Sequence, residues 1–375
     1  MKIKNILIVP TTMLAPSTEF FLKRLARVVK YGIGSLFPLP YHGELQMHGD
    51  IPRVLGKEHT FIIGKYHQSL FSKDISEQCA YPSCYGIPEG TSIGKRDINV
   101  VIGRVDVVLV SAQAARELIE LVVKQARAKK IPIAMIDFAD HEALYGLNDQ
   151  EKRKRMFRGF IPGNHFDLYF KKDLYLGYKT DTLLPLAPVP VRPESYNIPV
   201  IKKDTSIFFS GRLRADLCQA DRMETTDLVR KNFSDALIVD FESQKSFMTT
   251  KEYWHNLSRS HLALSPSGRV WDSFRHCEVG LAAGTCLIAP KPYVETVGPY
   301  LVDGHNAILY DTQLSNDGKH HIVNQGELVE KIRYYLDHQE EREAMAKRWQ
   351  SDVLQGHTIF SRSKYIVESM EKAFS

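Results

Sequence analysis

The sequence has little of what disulfide scaffolds, zinc sites and membrane-spanning proteins require. Its five cysteines are odd in number and scattered over 375 residues. Such an arrangement favours reduced thiols, and Cys79 and Cys84 are spaced too widely for a CxxC zinc pair. No stretch approaches the roughly 20 continuous apolar residues that span a bilayer, and the apolar run near the start is too short for a signal-peptide core. These absences predict a cytoplasmic protein that is not integral to a membrane.

Two further motifs are missing. The chain contains neither a Walker-type glycine loop nor an HxxxE-type zinc spacing, which lowers the support for phosphotransferases and metallohydrolases. The net charge of +5 is mildly basic and spread along the chain, so it suits anionic partners without choosing among them.

The length favours two domains with a cleft between them, at a prior of roughly 150 residues per domain. Short β-branched runs alternate with longer amphipathic stretches, as is typical of α/β proteins. The first half has KNILIVP, INVVIG, DVVLVS and IPIAMID, and the second has SIFFS, ALIVDF, HLALS and TCLIAP. The unit from Asp106 to Asp137 predicts a strand, a helix and a parallel strand.

The proline-rich segment 183–200 is interpreted as the connection between domains. We therefore expect a first domain over 1–195, a second over 200–355, and a C-terminal helix over 356–375 that packs back on the first. Residues 36–98 are assigned to no element.

Residues 261–290 are the most informative segment. They predict a strand, a glycine turn, a helix from about Asp272 to Ala283 and a second strand. Gly268 and Arg269 would then lie in a turn that faces a helix N-terminus, where free backbone N–H groups and a guanidinium suit a phosphate.

Glu278 falls within the apolar face of that helix, formed with Phe274, Cys277 and Leu281. A buried carboxylate is costly without hydrogen bonds. Its partner is either Arg275 or another nearby cation, or the hydroxyls of a ligand such as a ribose.

The segment SPSGRVWDSFRHCEVGLAAGTCLIAPK, followed by VDGHNAILY and ELVEKIRYYLDHQEEREAMAKR, resembles the C-terminal half of family-1-type glycosyltransferases. The resemblance covers about residues 205–350 and is nearest to the exostosin-like and spore-maturation-type branches. It implies the α/β GT-B fold, in which two Rossmann-like domains face each other and the second holds most of a nucleotide-sugar donor.

This resemblance also implies roles for individual residues. Glu278 would bind the donor ribose, and Ser267, Gly268, Arg269 and Ser273 would lie near the diphosphate or sugar, with Arg275 close by. Many retaining members carry a second glutamate eight positions earlier, where this chain has Val270. The stereochemistry therefore stays open.

A strand-end glycine and a nearby cation neutralise the leaving diphosphate in the resembling enzymes. The corresponding residues here are Gly211 with Arg212 or Arg214, and the alternative is an arginine on a surface loop. No D-x-D triplet occurs, so we expect a metal-independent reaction with no cofactor. The base that deprotonates the acceptor hydroxyl would be Asp140 or His141, just beyond a strand end, unless Asp140 caps a helix and His141 is exposed.

The expected partners are a nucleotide-sugar and a glycan or lipid-linked acceptor. The basic run 151–160 could contact an anionic membrane surface or could be a solvated helix end. Two other functions are compatible with the sequence. One is a catalytically silent module that binds a glycan or protein, and the other, less favoured, is a transferase that glucosylates nucleic-acid bases.

Overall fold

The computed structural model describes the larger part of the chain. The described residues are 1–9, 50–63, 91–112, 114, 116–138, 166–196, 198–216, 218–241 and 248–375. The predicted base residues Asp140 and His141, the basic run 151–160 and most of the unassigned region 36–98 lie outside them.

The described residues of the first half form a parallel sheet in the order β3-β2-β1-β4-β5-β6-β7. Its strands are β1 Ile6–Val9, β2 Thr60–Ile63, β3 Thr91–Ile93, β4 Val107–Ser111, β5 Ile133–Asp137, β6 Leu168–Lys171 and β7 Leu183–Pro185. Three helices accompany them, α1 Ile51–Leu55, α2 Ile98–Ile102 and α3 Arg116–Ala128. The predicted β4–α3–β5 crossover is present, with β4 and β5 paired in parallel.

One predicted strand is wrong. INVVIG, residues 98–103, forms the helix α2 rather than a strand. Its buried residues Ile98, Val101 and Ile102 follow helical spacing, whereas Val100 is exposed. A run of five residues is too short for its apolar period to distinguish a helix from a strand, and here packing against α3 decides.

The segment interpreted as a connection begins inside the first sheet. Leu183–Pro185 forms the edge strand β7, where a proline at the strand end is tolerated. The connection that follows contains a 3₁₀ turn, Pro193–Ser195, and leads into the second half.

The second half has a parallel sheet in the order β12-β11-β10-β8-β9, and an antiparallel pair β13-β14 beside it. Its strands are β8 Thr205–Gly211, β9 Leu237–Asp240, β10 Ser260–Leu264, β11 Cys286–Pro290, β12 Ile308–Tyr310, β13 Thr312–Leu314 and β14 His320–Ile322. Its helices are α4 Ala220–Asn232, α5 Thr250–Ser258, α6 Phe274–Leu281, α7 Gln325–Asp337 and α8 Gln339–Gly356.

Helices cover both faces of this second sheet. On one face α4 and α7 pack on Ile207 and Phe209, and on the other α5 and α6 pack on Phe208. Alternate residues of β8 thus enter opposite cores, as a strand buried on both faces requires.

The last helix, α9 (Ile359–Ala373), returns to the first sheet. Its Ile366, Val367 and Met370 share one apolar core with Ile6 and Ile8 of β1. No helix in the described part of the chain is both long and apolar enough to cross a membrane.

Candidate functional site

The second sheet has a reversal of strand order between β8 and β10. The chain leaves β8 for β9 on one side and then returns to form β10 on the other. Open parallel sheets bind ligands beyond the carboxyl ends of the strands at such a reversal. Two of the predicted segments lie there, Ser210–Gly211 at the end of β8 and the turn 265–273 after β10.

The turn 265–273 leads directly into α6, which spans Phe274–Leu281 and is shorter at both ends than predicted. Ser273 is the N-cap residue, and its hydroxyl accepts a long hydrogen bond of 3.4 Å from the Arg275 backbone N–H. Trp271 is fully buried and donates from its indole nitrogen to the Pro290 carbonyl at 3.0 Å. The turn is therefore anchored to the neighbouring strand β11.

Arg275 projects from the first turn of α6 toward the end of β8. Its Nη2 donates to the Ser210 carbonyl, and its guanidinium carbon lies 4.8 Å from the centre of the Phe209 ring. Its Nε and Nη1 are buried and have no hydrogen-bond partner among the described residues. The Ser210 and Ser265 hydroxyls are likewise buried and have no hydrogen-bond partner among the described residues. A cation with unused donors is therefore held at the strand-order reversal.

A second guanidinium, that of Arg222, lies near the same ring at 5.8 Å. Arg222 is in the first turn of α4, and sequence reasoning missed it. It donates to the carbonyls of Pro266, Ser267 and Arg212 at 3.3, 2.7 and 3.4 Å. The one feature of the sequence that could have indicated Arg222 is its place at the start of the helix that follows β8.

Gly211, at the end of β8, lets the backbone approach Phe209 and Arg275 closely. A Cβ at Gly211 would lie 2.9 Å from the Phe209 ring and 3.2 Å from Arg275 Nη2. A Cβ at Gly268 would lie 3.4 Å from Arg222 Nη2, which is ordinary van der Waals contact. The Gly268 N–H is not free for a phosphate, because it donates to the Val270 carbonyl at 2.8 Å.

Glu278 lies one turn beyond Arg275 and is only 6% exposed. Its Oε2 accepts a 2.7 Å hydrogen bond from the hydroxyl of Tyr253 in α5. Burial raises the pKa of Glu278, while Tyr253 and then Arg275 oppose that rise. Among the residues described, its direct partner is therefore a phenol rather than a cation.

The comparisons with known proteins give one family match over part of the chain and several similar solved structures. Residues 237–368 match the family described as glycosyl transferase-like. HepE from Anabaena, solved with UDP-glucose, aligns over 98% of this chain and 99% of its own with 10% identity and a TM-score of 0.50. Sucrose-phosphate synthase from Thermosynechococcus elongatus aligns over 99% of both chains with 9% identity and a TM-score of 0.47. No curated protein sequence matches the chain.

The chain has the GT-B fold. This confirms the predicted α/β class, with two Rossmann-like domains built on the two parallel sheets. The family match includes β10, the turn 265–273 and α6, so it covers the centre of the candidate site.

The remaining predicted residues of the second domain lie around this centre. Arg212 and Arg269 are exposed, and Arg214 forms a surface ion pair with Asp216 at 2.5 Å. The Ser267 N–H donates to Asp221 at 3.1 Å. Arg275 rather than Arg214 is thus the cation aligned with the end of β8.

The first domain contributes less to the described site. Asp137, at the end of β5, is fully buried, lies 3.4 Å from Lys171 Nζ and accepts a 2.7 Å hydrogen bond from Tyr169. These contacts give it a structural role. The predicted base residues Asp140 and His141 follow it outside the described residues.

The two domains touch beside the site. Gly177 of the first domain donates to Glu295 at 2.8 Å, and Tyr175 forms a bridge with Val294. The Tyr175 hydroxyl is 3.4 Å from Nε2 of His320 in β14. Within the described ranges, no group of three His, Cys, Asp or Glu side chains could hold a metal ion.

Proposed function

We propose that this GT-B protein is a glycosyltransferase that moves a sugar from a nucleotide-sugar donor to a hydroxyl acceptor. The observation that carries the proposal is the position of Arg275 and Glu278 within one turn of α6, the helix that follows β10 at the strand-order reversal of the second sheet. The glycosyl transferase-like match over residues 237–368 supports it.

Arg275 would neutralise the leaving diphosphate. Cleavage of the bond between the sugar and the nucleotide places negative charge on the diphosphate, and a fixed guanidinium stabilises that charge. The two buried Arg275 nitrogens without a partner in the described structure, Nε and Nη1, are suited to donate hydrogen bonds to phosphate oxygens. Because its third nitrogen is held by Ser210, the cation needs little reorganisation.

Glu278 would bind the donor ribose. One carboxylate oxygen is held by Tyr253, which fixes the side chain in place. A vicinal diol can donate hydrogen bonds to a carboxylate and offset part of the cost of its burial.

We propose further that the reaction needs no metal and no cofactor, and that Asp140 or His141 deprotonates the acceptor. The absence of a D-x-D triplet from the whole sequence supports the first part. Both residues follow β5 closely in sequence, and open α/β sheets bind ligands beyond the carboxyl ends of their strands, which supports the second part. The acceptor would be a glycan or a lipid-linked sugar, with 151–160 as a contact to an anionic membrane surface.

The direct test is release of nucleoside diphosphate from UDP-, GDP- and ADP-linked sugars, measured with and without EDTA. We expect release from one donor class, unchanged by EDTA and strongly reduced by Glu278→Ala. Glu330→Ala, on the exposed side of α7, is the matched control. If no donor is turned over and none binds, the proposal is wrong.

A second candidate is a module that binds nucleotide-sugars without turnover. Val270 is 3% exposed and stands where many retaining enzymes of the resembling families carry a glutamate. Donor binding without any release or transfer, under every acceptor tested, would favour this candidate.

A further inference from the structure

The first turn of α4 and the residue before it contact the turn 265–273 at several points. Gln219 donates from its backbone to the Gly268 carbonyl at 2.8 Å and from its side chain to the Arg269 carbonyl at 2.7 Å. Arg222 donates to the carbonyls of Pro266 and Ser267. Four consecutive residues, 266–269, are thus held by one short segment.

Asp221 also contacts the turn, from a fully buried position in the same segment. It is fully buried, and its Oδ2 accepts hydrogen bonds from the Ser267 N–H at 3.1 Å and the Tyr310 hydroxyl at 2.9 Å. Tyr310 ends β12 and also accepts a hydrogen bond from Thr225 at 3.3 Å. The carboxylate therefore joins the turn to β12, the edge strand of the second sheet.

Gln219 makes a second connection of this kind. Its side-chain oxygen accepts a 2.8 Å hydrogen bond from the backbone N–H of His320 in β14. The segment is buried, with Gln219 at 7% and Arg222 at 8% exposure. All of these contacts are made by groups of the protein itself, so the turn is held by the second domain's own residues.

We propose that Gln219, Asp221 and Arg222 are positioning residues that hold the turn 265–273 in its nucleotide-binding geometry. The inference rests on the proposed function, because it assigns that turn to the donor nucleotide. The three residues act through the turn, since each hydrogen bond just described ends on it, on β12 or on β14. Their effect follows from preorganisation, in which a fixed site avoids the cost of ordering groups on binding.

Burial of the Asp221 carboxylate carries a desolvation cost. Desolvation raises its pKa, and the hydrogen bonds from Ser267 and Tyr310 oppose that rise. The hydrogen bonds that offset this cost come from the turn and from β12, the two elements that Asp221 joins.

The test compares Asp221→Ala, Asp221→Asn and Tyr310→Phe with the parent protein. Asp227→Ala is the matched control, because Asp227 is exposed on the same helix and pairs only with Arg230 in the described structure. Hydrogen exchange of the peptide 265–273 reports on the turn, and titration with UDP, GDP and ADP reports on binding. Thermal unfolding reports on the fold as a whole.

We expect Asp221→Ala to raise exchange in 265–273 about tenfold and to weaken nucleotide binding about as much, since a buried N–H loses its acceptor. Asp221→Asn keeps an acceptor and should recover part of both effects. Tyr310→Phe removes only the hydroxyl that donates to Asp221. This variant tests the same contact if Asp221→Ala does not fold.

Unchanged exchange and unchanged affinity in folded Asp221→Ala or Tyr310→Phe would overturn the inference. A lower melting temperature with unchanged hydrogen exchange in 265–273 and unchanged nucleotide affinity would also overturn it. If the parent protein binds none of the three nucleotides, the proposed function fails by itself, and hydrogen exchange still decides whether these residues hold the turn.

Discussion

At the scale of single residues, Arg275 is the cation that the account depends on most. Its guanidinium lies over Phe209 with one nitrogen bound to Ser210 and two without a partner in the described structure. Buried donors without acceptors are costly, and phosphate oxygens are acceptors that would satisfy these two nitrogens under the proposed function.

Arg275→Ala should weaken nucleoside diphosphate binding about 10- to 100-fold, the range for losing charge-assisted hydrogen bonds. Arg275→Lys should recover only part of the affinity, because an ammonium cannot make the same planar contacts. The measurement is isothermal titration. Arg230→Ala, a change to an exposed arginine of α4, is the control and should bind as the parent does.

Glu278 predicts a stability effect that depends on pH. Burial raises its pKa above the ordinary value of 4.5, so the folded protein binds the proton more tightly than the unfolded chain does. Below the pKa of Glu278 in the unfolded chain, the carboxyl is neutral in both states and its burial costs little. As pH rises through the higher pKa of the folded protein, the buried group ionises and the free energy of unfolding falls.

Glu278→Gln should accordingly raise the melting temperature at pH 7.5 relative to the parent, with a smaller difference at pH 4. The same substitution should weaken nucleotide binding at pH 7.5. A melting temperature gain of equal size at both pH values would show that the effect is not linked to ionisation.

At the scale of helices and strands, most of the chain's α/β order follows from its apolar pattern. The buried runs of β4, β5, β8, β10 and β11 were predicted as strands because they are short, apolar and bounded by polar residues. The helix α2 was missed because its five residues carry the same composition, and only the position of Val100 on the exposed side distinguishes it.

The candidate site was predictable where its residues lie at a strand end, as Gly211 does, or within a single helical turn. Arg275 and Glu278 share one helical turn, so their spacing indicated a common site. Tyr253 comes from α5 and precedes Glu278 by 25 residues, and Arg222 comes from α4 and precedes Arg275 by 53 residues. Their contacts depend on how α4 and α5 pack on the sheet, which no local pattern records.

Close packing between α6 and α8 gives a prediction for these helices. A Cβ at Gly280 would lie 2.6 Å from Val353 and 3.1 Å from Trp349. Gly280→Ala should therefore cost about 1–3 kcal/mol in the free energy of unfolding, despite the better helix propensity of alanine. Urea unfolding measures this. Gly326→Ala, whose Cβ would make only ordinary contact at 3.5 Å, should lose no stability.

At the scale of the whole molecule, the C-terminal helix joins the first domain although it follows the second. α9 places Ile366, Val367 and Met370 in the core beneath β1 and β4. The chain therefore crosses between the domains twice, once at 186–204 and once at 356–358.

Ile366→Ala should cost about 2–5 kcal/mol, as expected for a large aliphatic side chain removed from a core. Hydrogen exchange should rise in β1 and β4 more than in β8 and β10, because the lost contacts belong to the first domain. Val323→Ala, at a 58% exposed position, should change stability by less than about 0.5 kcal/mol. Equal changes in both sheets would contradict this assignment of α9.

The most direct test of the central claim is a crystal structure of the protein with the nucleoside diphosphate that it binds in titration. We expect the diphosphate beyond the ends of β8 and β10, within hydrogen-bond distance of Arg275, and the ribose hydroxyls at Glu278. A nucleotide bound elsewhere, with Arg275 and Glu278 in contact with neither phosphate nor ribose, would contradict the account.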